Sequence, residues 1–397
     1  KDFRPYRLTP SHAWAQDNGA DFVESGAWLR AQWFKRPGEK GWRDSVDREV
    51  SMTRKSVGIC DVTTLGKIDI QGRDAAEFLN HIYANPFLKL AVGKVRYGLM
   101  LREDGFCYDD GTTARLAENH FVMTTTTANA AVVFRNMEFA RQCLWPELDV
   151  HLISTTDGWA QFAVAGPNSR ALLSKVVDDL DLSNEAFPFM GCAECRVFGG
   201  TPARLFRISF SGELAYELAV PARYGDALIR ALMKVGEEFD VTPYGIEALS
   251  VMRIEKGHAA GSELNGQTTA ENLGLGGMVS KKKDSIGSNL SRRPEMIRED
   301  GLRMVGFHPV DKSASLNAGA HFLAEGDPVD MAHDQGWMTS TAYSPELGHS
   351  VGLGFLTGGQ DRMGETLRAY DPVRGKDTLV EVCSAHHIDP EGERQRG

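Results

Sequence analysis

Cysteine is scarce: six residues scattered over a 397-residue chain are too few to staple it, so a disulfide framework is excluded. Cys192 and Cys195 form the one CxxC. A structural zinc site needs a second ligand pair, and no further CxxC and no HxxxH exists. A redox CxxC opens a helix, whereas Gly191-Cys192-Ala193-Glu194-Cys195 runs into the strand-like Arg196-Val197-Phe198. All six thiols are therefore read as reduced and unpaired, and no metal site is expected. Positive charge is also in short supply. With 44 Lys and Arg against 54 Asp and Glu, the net charge is −10, which argues against nucleic acid as a partner, because polyanion binding depends on Lys and Arg neutralising phosphates. A small anionic ligand in a local basic pocket stays compatible. No apolar run reaches the ~20 residues of a membrane span, and the charged start Lys1-Asp2-Phe3-Arg4 is unlike a signal peptide. A cytoplasmic protein with no membrane partner is the expectation. Residue 1 is not methionine, as in a fragment of a longer protein.

Glycine-rich phosphate loops are missing as well. Gly352-Leu353-Gly354 and Gly274-Leu275-Gly276-Gly277 come nearest. Neither completes a GxGxxG that opens a helix with an acid about 20 residues on. There is no P-loop and no GxSxG elbow. Neither flavin nor NAD is expected on this chain.

What is present suits two or three domains with sizeable cores. The stretch up to Trp42 looks aromatic-rich and irregular, and Asp44 to Val57 looks helical. Lys67-Ile68-Asp69-Ile70-Gln71 alternates at period two, as a half-buried strand does. Asp74 is placed to cap a helix over Ala75 to Ala84. Further strands are expected at Val95 to Leu101, His120 to Thr125, Trp159 to Val164, Arg204 to Phe210 and Tyr216 to Val220. Helices are expected at Ser169 to Val177, Tyr224 to Phe239 and Ile246 to Glu255, the last ended by Gly257. The mixture lacks regular βαβ spacing, so the class is α+β. Beyond a polar, basic stretch from Lys281 to Arg298, short strands at Arg303, Gly336, Val351, Thr366 and Leu379 predict a small all-β domain. The expected division is 1–295 and 296–397. The run Lys281-Lys282-Lys283 and the pair His386-His387 are read as surface features.

Two regions carry chemistry. Gly105-Phe106-Cys107-Tyr108-Asp109-Asp110-Gly111 sets adjacent carboxylates after a turn; on an extended chain one of them faces a pocket while the other meets solvent. The row Thr124-Thr125-Thr126-Thr127-Ala128-Asn129 then supplies hydroxyls at a strand end. In Ser211-Gly212-Glu213-Leu214-Ala215-Tyr216-Glu217, an acid on an apolar strand is costly to bury alone. It calls either for a salt bridge to Arg207 or Arg253, or for a heterocycle edge with adjacent N–H groups.

Together these segments resemble the folate-dependent aminomethyltransferase family, whose best-known member is the glycine cleavage T-protein. The resemblance spans Leu8-Thr9-Pro10 to about Pro390. It is carried by Arg54-Lys55-Ser56-Val57-Gly58-Ile59-Cys60-Asp61-Val62, Thr64-Leu65-Gly66, Asp104-Gly105 with Asp109-Asp110, Ala165-Gly166-Pro167, Ser211-Gly212-Glu213, Arg253-Ile254-Glu255, Leu273-Gly274-Leu275-Gly276 and Met338-Thr339-Ser340. It implies a ring of three domains, two α+β portions and a C-terminal β-barrel. It implies tetrahydrofolate as co-substrate, with Asp110 beside the reactive folate nitrogens and Glu217 gripping the pterin. Leu65, Tyr97, Thr124, Thr125 and Thr126 would line the pocket.

Phe210 replaces the family's tyrosine before the Gly-Glu turn, and Leu249-Ser250 replaces an Arg-Asp pair. Both departures point away from a lipoyl-carrier substrate. With Arg253 to His258 and Thr124 to Ala130, they resemble the branch found in the α subunits of heterotetrameric sarcosine oxidases. That branch implies a flavin-containing oxidase subunit or domain as partner, an N-methyl amine such as sarcosine as substrate, and capture of its oxidised carbon as methylene-tetrahydrofolate. The alternatives are a T-protein acting on an aminomethyl-lipoyl carrier and a non-catalytic folate-binding scaffold; the latter branch carries a KGCYxGQE-like motif, which is absent here.

Overall fold

The structure, a computed structural model, describes residues 6–397; the start at residues 1–4 read above lies outside them. The chain forms two compact units. The first runs to Gly98 and takes in Asp109–Leu249 and Gly392–Gly397; the second is Leu99–Tyr108 with Ser250–Glu391.

The N-terminal stretch expected to be irregular is folded. Strands β1 (Arg7–Leu8), β2 (Ala20–Ser25) and β3 (Trp28–Phe34) form a sheet in the order β1-β3-β2, with α1 (His12–Asp17) between the first two. Most positions of β2 and β3 are half-buried on both sides, so no period-two alternation betrays them. Helix α2 (Trp42–Lys55) follows and buries Val46, Glu49 and Val50. Next come β4 (Gly58–Asp61), β5 (Gly66–Gln71) and α3 (Ala75–Ile82), whose buried face is Ala75, Phe78, Leu79 and Ile82. Asp74 stands at the N-cap of α3 without capping it. Its carboxylate instead accepts the Asp149 backbone N–H at 2.9 Å.

The middle of the chain supplies β6 (Lys94–Leu101), β7 (Cys107–Ala117), β8 (His120–Thr125), α4 (Ala130–Phe139) and β9 (His151–Ser154). Then follow β10 (Trp159–Ala165), α5 (Ser169–Leu173), β11 (Cys192–Val197), β12 (Thr201–Phe206), β13 (Ala215–Pro221), α6 (Gly225–Gly236), β14 (Thr242–Pro243) and α7 (Ile246–Lys256). The strand expected to reach Phe210 stops at Phe206; beyond it Arg207 is fully buried and donates to the backbone carbonyls of Phe187 and Arg396.

These strands make two sheets, ordered β6-β7-β8-β5-β9 and β11-β12-β13-β10-β4-β14. Alternation gives each sheet two faces. Phe162, Val164, Leu205, Tyr216, Leu218 and Val220 of the second sheet share one apolar core with α5 and α6 residues such as Leu172, Leu228 and Leu232. The opposite face carries Phe206, Ala219 and Cys192, which cluster with Val95 and Ala114 of the first sheet. The two sheets therefore pack face to face in the first unit. A buried ion pair, Asp69 to Arg204 at 3.5 Å, also joins them. The last residues are pinned to the same unit: Glu213 accepts from Arg54 at 2.6 Å and from Arg394 at 2.9 Å.

Cys192 and Cys195 lie on opposite faces of β11, one in each of these cores. All six cysteines are free thiols.

In the second unit β15 (Leu302–Pro309), β16 (His321–Leu323), β17 (Gly336–Ser344), β18 (His349–Thr357), β19 (Thr366–Asp371) and β20 (Lys376–Cys383) close a six-stranded barrel. Val305, Phe307, Phe322, Met338, Leu356, Leu367 and Val380 fill it. Three-residue β16 is too short to give a sequence signal. His387 is not surface decoration. Its Nε2 lies 3.1 Å from the Gly352 carbonyl, and burial pushes its pKa down to about 4.

Candidate active site between the two sheets of the first unit

The register shows which side chains enter the space between the sheets. On β5 and β8, Lys67 pairs with Thr124 and Ile68 with Met123. Ile68 and Met123 belong to the face buried toward the helices, so Lys67, Asp69 and Thr124 point to the other sheet. On β7, Ala114 lies in the inter-sheet cluster, and period two therefore brings Thr112 and Asp110 to the same face. On β6, Val95 does the same for Tyr97. Opposite them, Ala219 fixes Glu217 inward, and Gln161 shares a rung with Ala219. Along β6, β7 and β13 the inner face thus changes from apolar (Val95, Ala114, Ala219) to polar (Tyr97, Asp110, Glu217).

The sequence-derived acids take definite partners. The Tyr97 hydroxyl donates to Asp110 at 2.7 Å. Burial raises the Asp110 pKa while this hydrogen bond opposes the rise, and the side chain keeps partial exposure. Asp109 does not meet solvent as expected. It is fully buried on the opposite face of β7, accepting from the Thr126 backbone N–H at 3.3 Å and the Asn129 amide at 3.2 Å. Burial, and the Asp110 charge beside it, push it up to about 7 against those hydrogen bonds.

Glu217 pairs with neither Arg207 nor Arg253. Its partner is the Gln161 amide, which donates to Oε2. Burial pushes Glu217 up to about 7, opposed by that hydrogen bond and by the Lys67 charge. A carboxylate in this state, with one neutral donor, suits a ligand that brings adjacent N–H groups.

The remaining predicted residues divide. Thr124 is tied to Thr112, hydroxyl to hydroxyl at 3.0 Å. Thr125 is buried on the helix side, donating to the Thr126 carbonyl at 3.1 Å. Thr126 supports Asp109 through its backbone. Leu65 is half-buried in the β4–β5 turn, where its carbonyl accepts from Lys67 Nζ at 3.0 Å.

Sequence reasoning missed Lys67, Gln161 and Thr112. Their signal was present as polar residues inside apolar strands, and it reads equally well as a solvent face. A small cavity elsewhere in this unit, lined by Ser11, Trp14, Asp61 and Phe162 among others, has a volume of only about 20 Å³. That admits about one water and no ring. Among the described residues no group of His, Cys, Asp and Glu is arranged to hold a metal, and no helix is long and apolar enough to cross a membrane.

Comparison with known proteins decides the family. Residues 11–283 match the GCVT N-terminal domain, and residues 303–389 match the glycine cleavage T-protein C-terminal barrel domain. The chain belongs to the glycine cleavage T-protein family.

Among curated relatives within reach of this family, the sarcosine oxidase subunit alpha of Rhizobium meliloti (strain 1021) is 51% identical over 99% of the chain. That of Corynebacterium sp. (strain P-1) is 44% identical over 99%. The chain spans only 40% and 41% of their lengths. An aminomethyltransferase of Chloroherpeton thalassium (strain ATCC 35110 / GB-78) is 26% identical over 93% of this chain and 95% of its own. The solved glycine cleavage system aminomethyltransferase T from Bartonella henselae shares the fold, with TM-score 0.80 and 23% identity over 96% of this chain and 98% of that one. The T-protein family fold, mixed helix and sheet with a closed C-terminal barrel, is therefore that of this chain, and its named relatives are enzymes.

Proposed function

We propose that the chain is a tetrahydrofolate-dependent one-carbon transfer module. It would capture the product of N-methyl amine oxidation, sarcosine being the model substrate, as methylene-tetrahydrofolate, with a flavin-containing subunit or domain performing the oxidation. The observation that carries this reading is the presence of two inward carboxylates, Asp110 hydrogen-bonded by the Tyr97 hydroxyl and Glu217 by the Gln161 amide. The high identity to sarcosine oxidase α subunits supports the oxidase branch over a lipoyl carrier.

Tetrahydrofolate, when bound, supplies the amine nitrogens that take up the one-carbon unit. Glu217 would anchor the ring through its N–H edge, with Gln161 holding the carboxylate in place. Asp110, held by Tyr97, would take the proton released as a carbon–nitrogen bond forms, or stabilise the cation that precedes it. The raised pKa of Asp110 makes it a better proton acceptor than an ordinary aspartate. With the ligand bound, the sheets around the site would limit access of water, which matters because a free imine hydrolyses to formaldehyde.

Calorimetry with tetrahydrofolate tests the first half, and methylene-tetrahydrofolate formation with and without an oxidase subunit tests the second. Submillimolar binding that Glu217→Ala weakens, by about 10-fold or more for loss of a charged hydrogen bond, is the expected result. A folded chain with no affinity for tetrahydrofolate would overturn the reading. The purified chain should also be colourless, with no bound flavin.

A further inference from the structure

Lys67 is the costliest side chain between the two sheets. It is 2% exposed, and an ammonium so deep needs acceptors for its three N–H groups. Two have them, the backbone carbonyls of Thr63 at 2.6 Å and Leu65 at 3.0 Å. Among the described residues no carboxylate closes an ion pair with it; Asp61, Glu217 and Asp157 act on it through space. Two of these three are engaged elsewhere. Asp61 accepts from the Thr63 N–H and the Ser11 hydroxyl, and Asp157 pairs with Arg7. Glu217 receives one hydrogen bond, at Oε2.

A spare donor on one sheet thus stands across from a spare carboxylate oxygen on the other. They are near enough to sense each other's charge and too far apart to bond. The Asp69–Arg204 pair fixes this relation, since Lys67 lies one rung along β5 from Asp69, and Glu217 one rung along β13 from the Ala219 that is opposite Arg204.

We propose that Lys67 determines specificity for the ring's amide edge: Glu217 accepts from two adjacent ring N–H groups while the spare Lys67 N–H donates to the neighbouring ring carbonyl. This rests on the reading that the site takes a tetrahydrofolate. An acceptor beside a cationic donor complements a ring presenting N–H, N–H and C=O in order. A ring with an amino group in place of that carbonyl would turn a donor toward an ammonium and be rejected. The same ammonium ties the Thr63–Leu65 turn, so one side chain shapes the pocket wall and reads the ligand.

The test is anaerobic calorimetry of the whole chain with tetrahydrofolate and tetrahydroaminopterin, in which an amino group replaces that carbonyl and the adjacent ring nitrogen loses its hydrogen. The wild type should prefer the oxo ring by about 100-fold or more, because one charged hydrogen bond to Glu217 and one from Lys67 are lost together. Lys67→Met and Lys67→Gln should lower the preference by about 10-fold, leaving the part due to Glu217, mainly by losing oxo-ring affinity, and Lys67→Arg should restore part of it. Should the neutral variants fail to fold, Glu217→Ala decides: a remaining preference of about 10-fold belongs to Lys67, and no remaining preference overturns the proposal. Equal wild-type affinity for the two rings overturns the proposal and leaves the folate reading standing. Binding of neither ring removes that reading, and the proposal with it. A preference unchanged in folded Lys67→Met assigns Lys67 to the turn alone and also overturns it.

Discussion

Asp109 and Asp110 share a peptide bond and serve opposite faces of one strand, Asp109 toward the Thr126 N–H and the Asn129 amide, Asp110 toward the Tyr97 hydroxyl. The two substitutions should therefore separate. Asp110→Asn should leave folding and folate affinity nearly intact while coupled methylene-tetrahydrofolate formation falls about 10²–10⁴-fold, the scale of a lost general base. Amine oxidation by the partner should continue, with formaldehyde released. Asp109→Asn should instead lower stability by about 1–3 kcal/mol, because a buried acceptor is replaced by an amide facing donors. Urea melts and the coupled assay on both variants check this; coupling lost in Asp109→Asn alone would reverse the assignment.

Glu217 predicts a pH dependence of stability. Its pKa is raised from 4.5 to about 7 in the folded chain, so the folded state resists its ionisation. The stability it contributes is complete below about pH 4.5 and is lost as pH rises through 7, by at most about 3 kcal/mol. Glu217→Gln should thus be more stable than wild type at pH 8 and nearly equal to it at pH 4.5, while binding tetrahydrofolate less tightly. Asp109 titrates in the same direction, so the variant keeps some slope. A stability difference independent of pH would refute this.

Thiol chemistry should be confined to one position. Cys143 is exposed, while Cys60, Cys107, Cys192 and Cys195 are buried. Burial also pushes Cys60, Cys192, Cys195 and Cys383 up to about 12. A native titration with a chromogenic disulfide should show one fast thiol, absent in Cys143→Ser, and all six only after denaturation.

Glu213 and its two arginines make a third contrast. The Arg54 side chain is 3% exposed and that of Arg394 is 40% exposed. Glu213→Ala takes the carboxylate away from the buried Arg54 guanidinium and should cost about 3–5 kcal/mol. Arg394→Ala removes a half-exposed partner and should cost about 1 kcal/mol or less. Comparable losses in chemical denaturation would mean that the tail, rather than the buried pair, holds this corner.

Period two in Lys67 to Gln71 announced a strand with two unlike faces, and β5 is that strand. Alternation says that the faces differ; it cannot say what each one meets. The polar face meets a second sheet, so Lys67 and Asp69 are buried where solvent was the natural reading, and Gln161 escaped notice for the same reason. Strands with clear alternation or strong turns, such as β8, β10, β13, β15 and β18, were legible. The β2–β3 hairpin, half-buried on both sides, and three-residue β16 were not. Asp110 and Glu217 were visible through family resemblance, but their partners depend on pairing across strands far apart in sequence. Arg207 was set aside for Glu217 by its charge, and it is spent on backbone carbonyls instead.

The chain leaves the first unit at Leu99, returns at Asp109, leaves again at Ser250 and returns at Gly392. During synthesis, then, the first unit cannot be finished before the second has been made in full. Arg394 must emerge to reach Glu213 after the entire barrel. Folding in step with translation, the ordinary course for serial domains, leaves this unit without its last contacts until the barrel has been made. A nascent chain halted near residue 300 would hold both sheets and still lack the tail that binds Glu213 and Arg207. Such a halted chain should therefore gain a further increment of protease resistance once the segment carrying Arg394 is added.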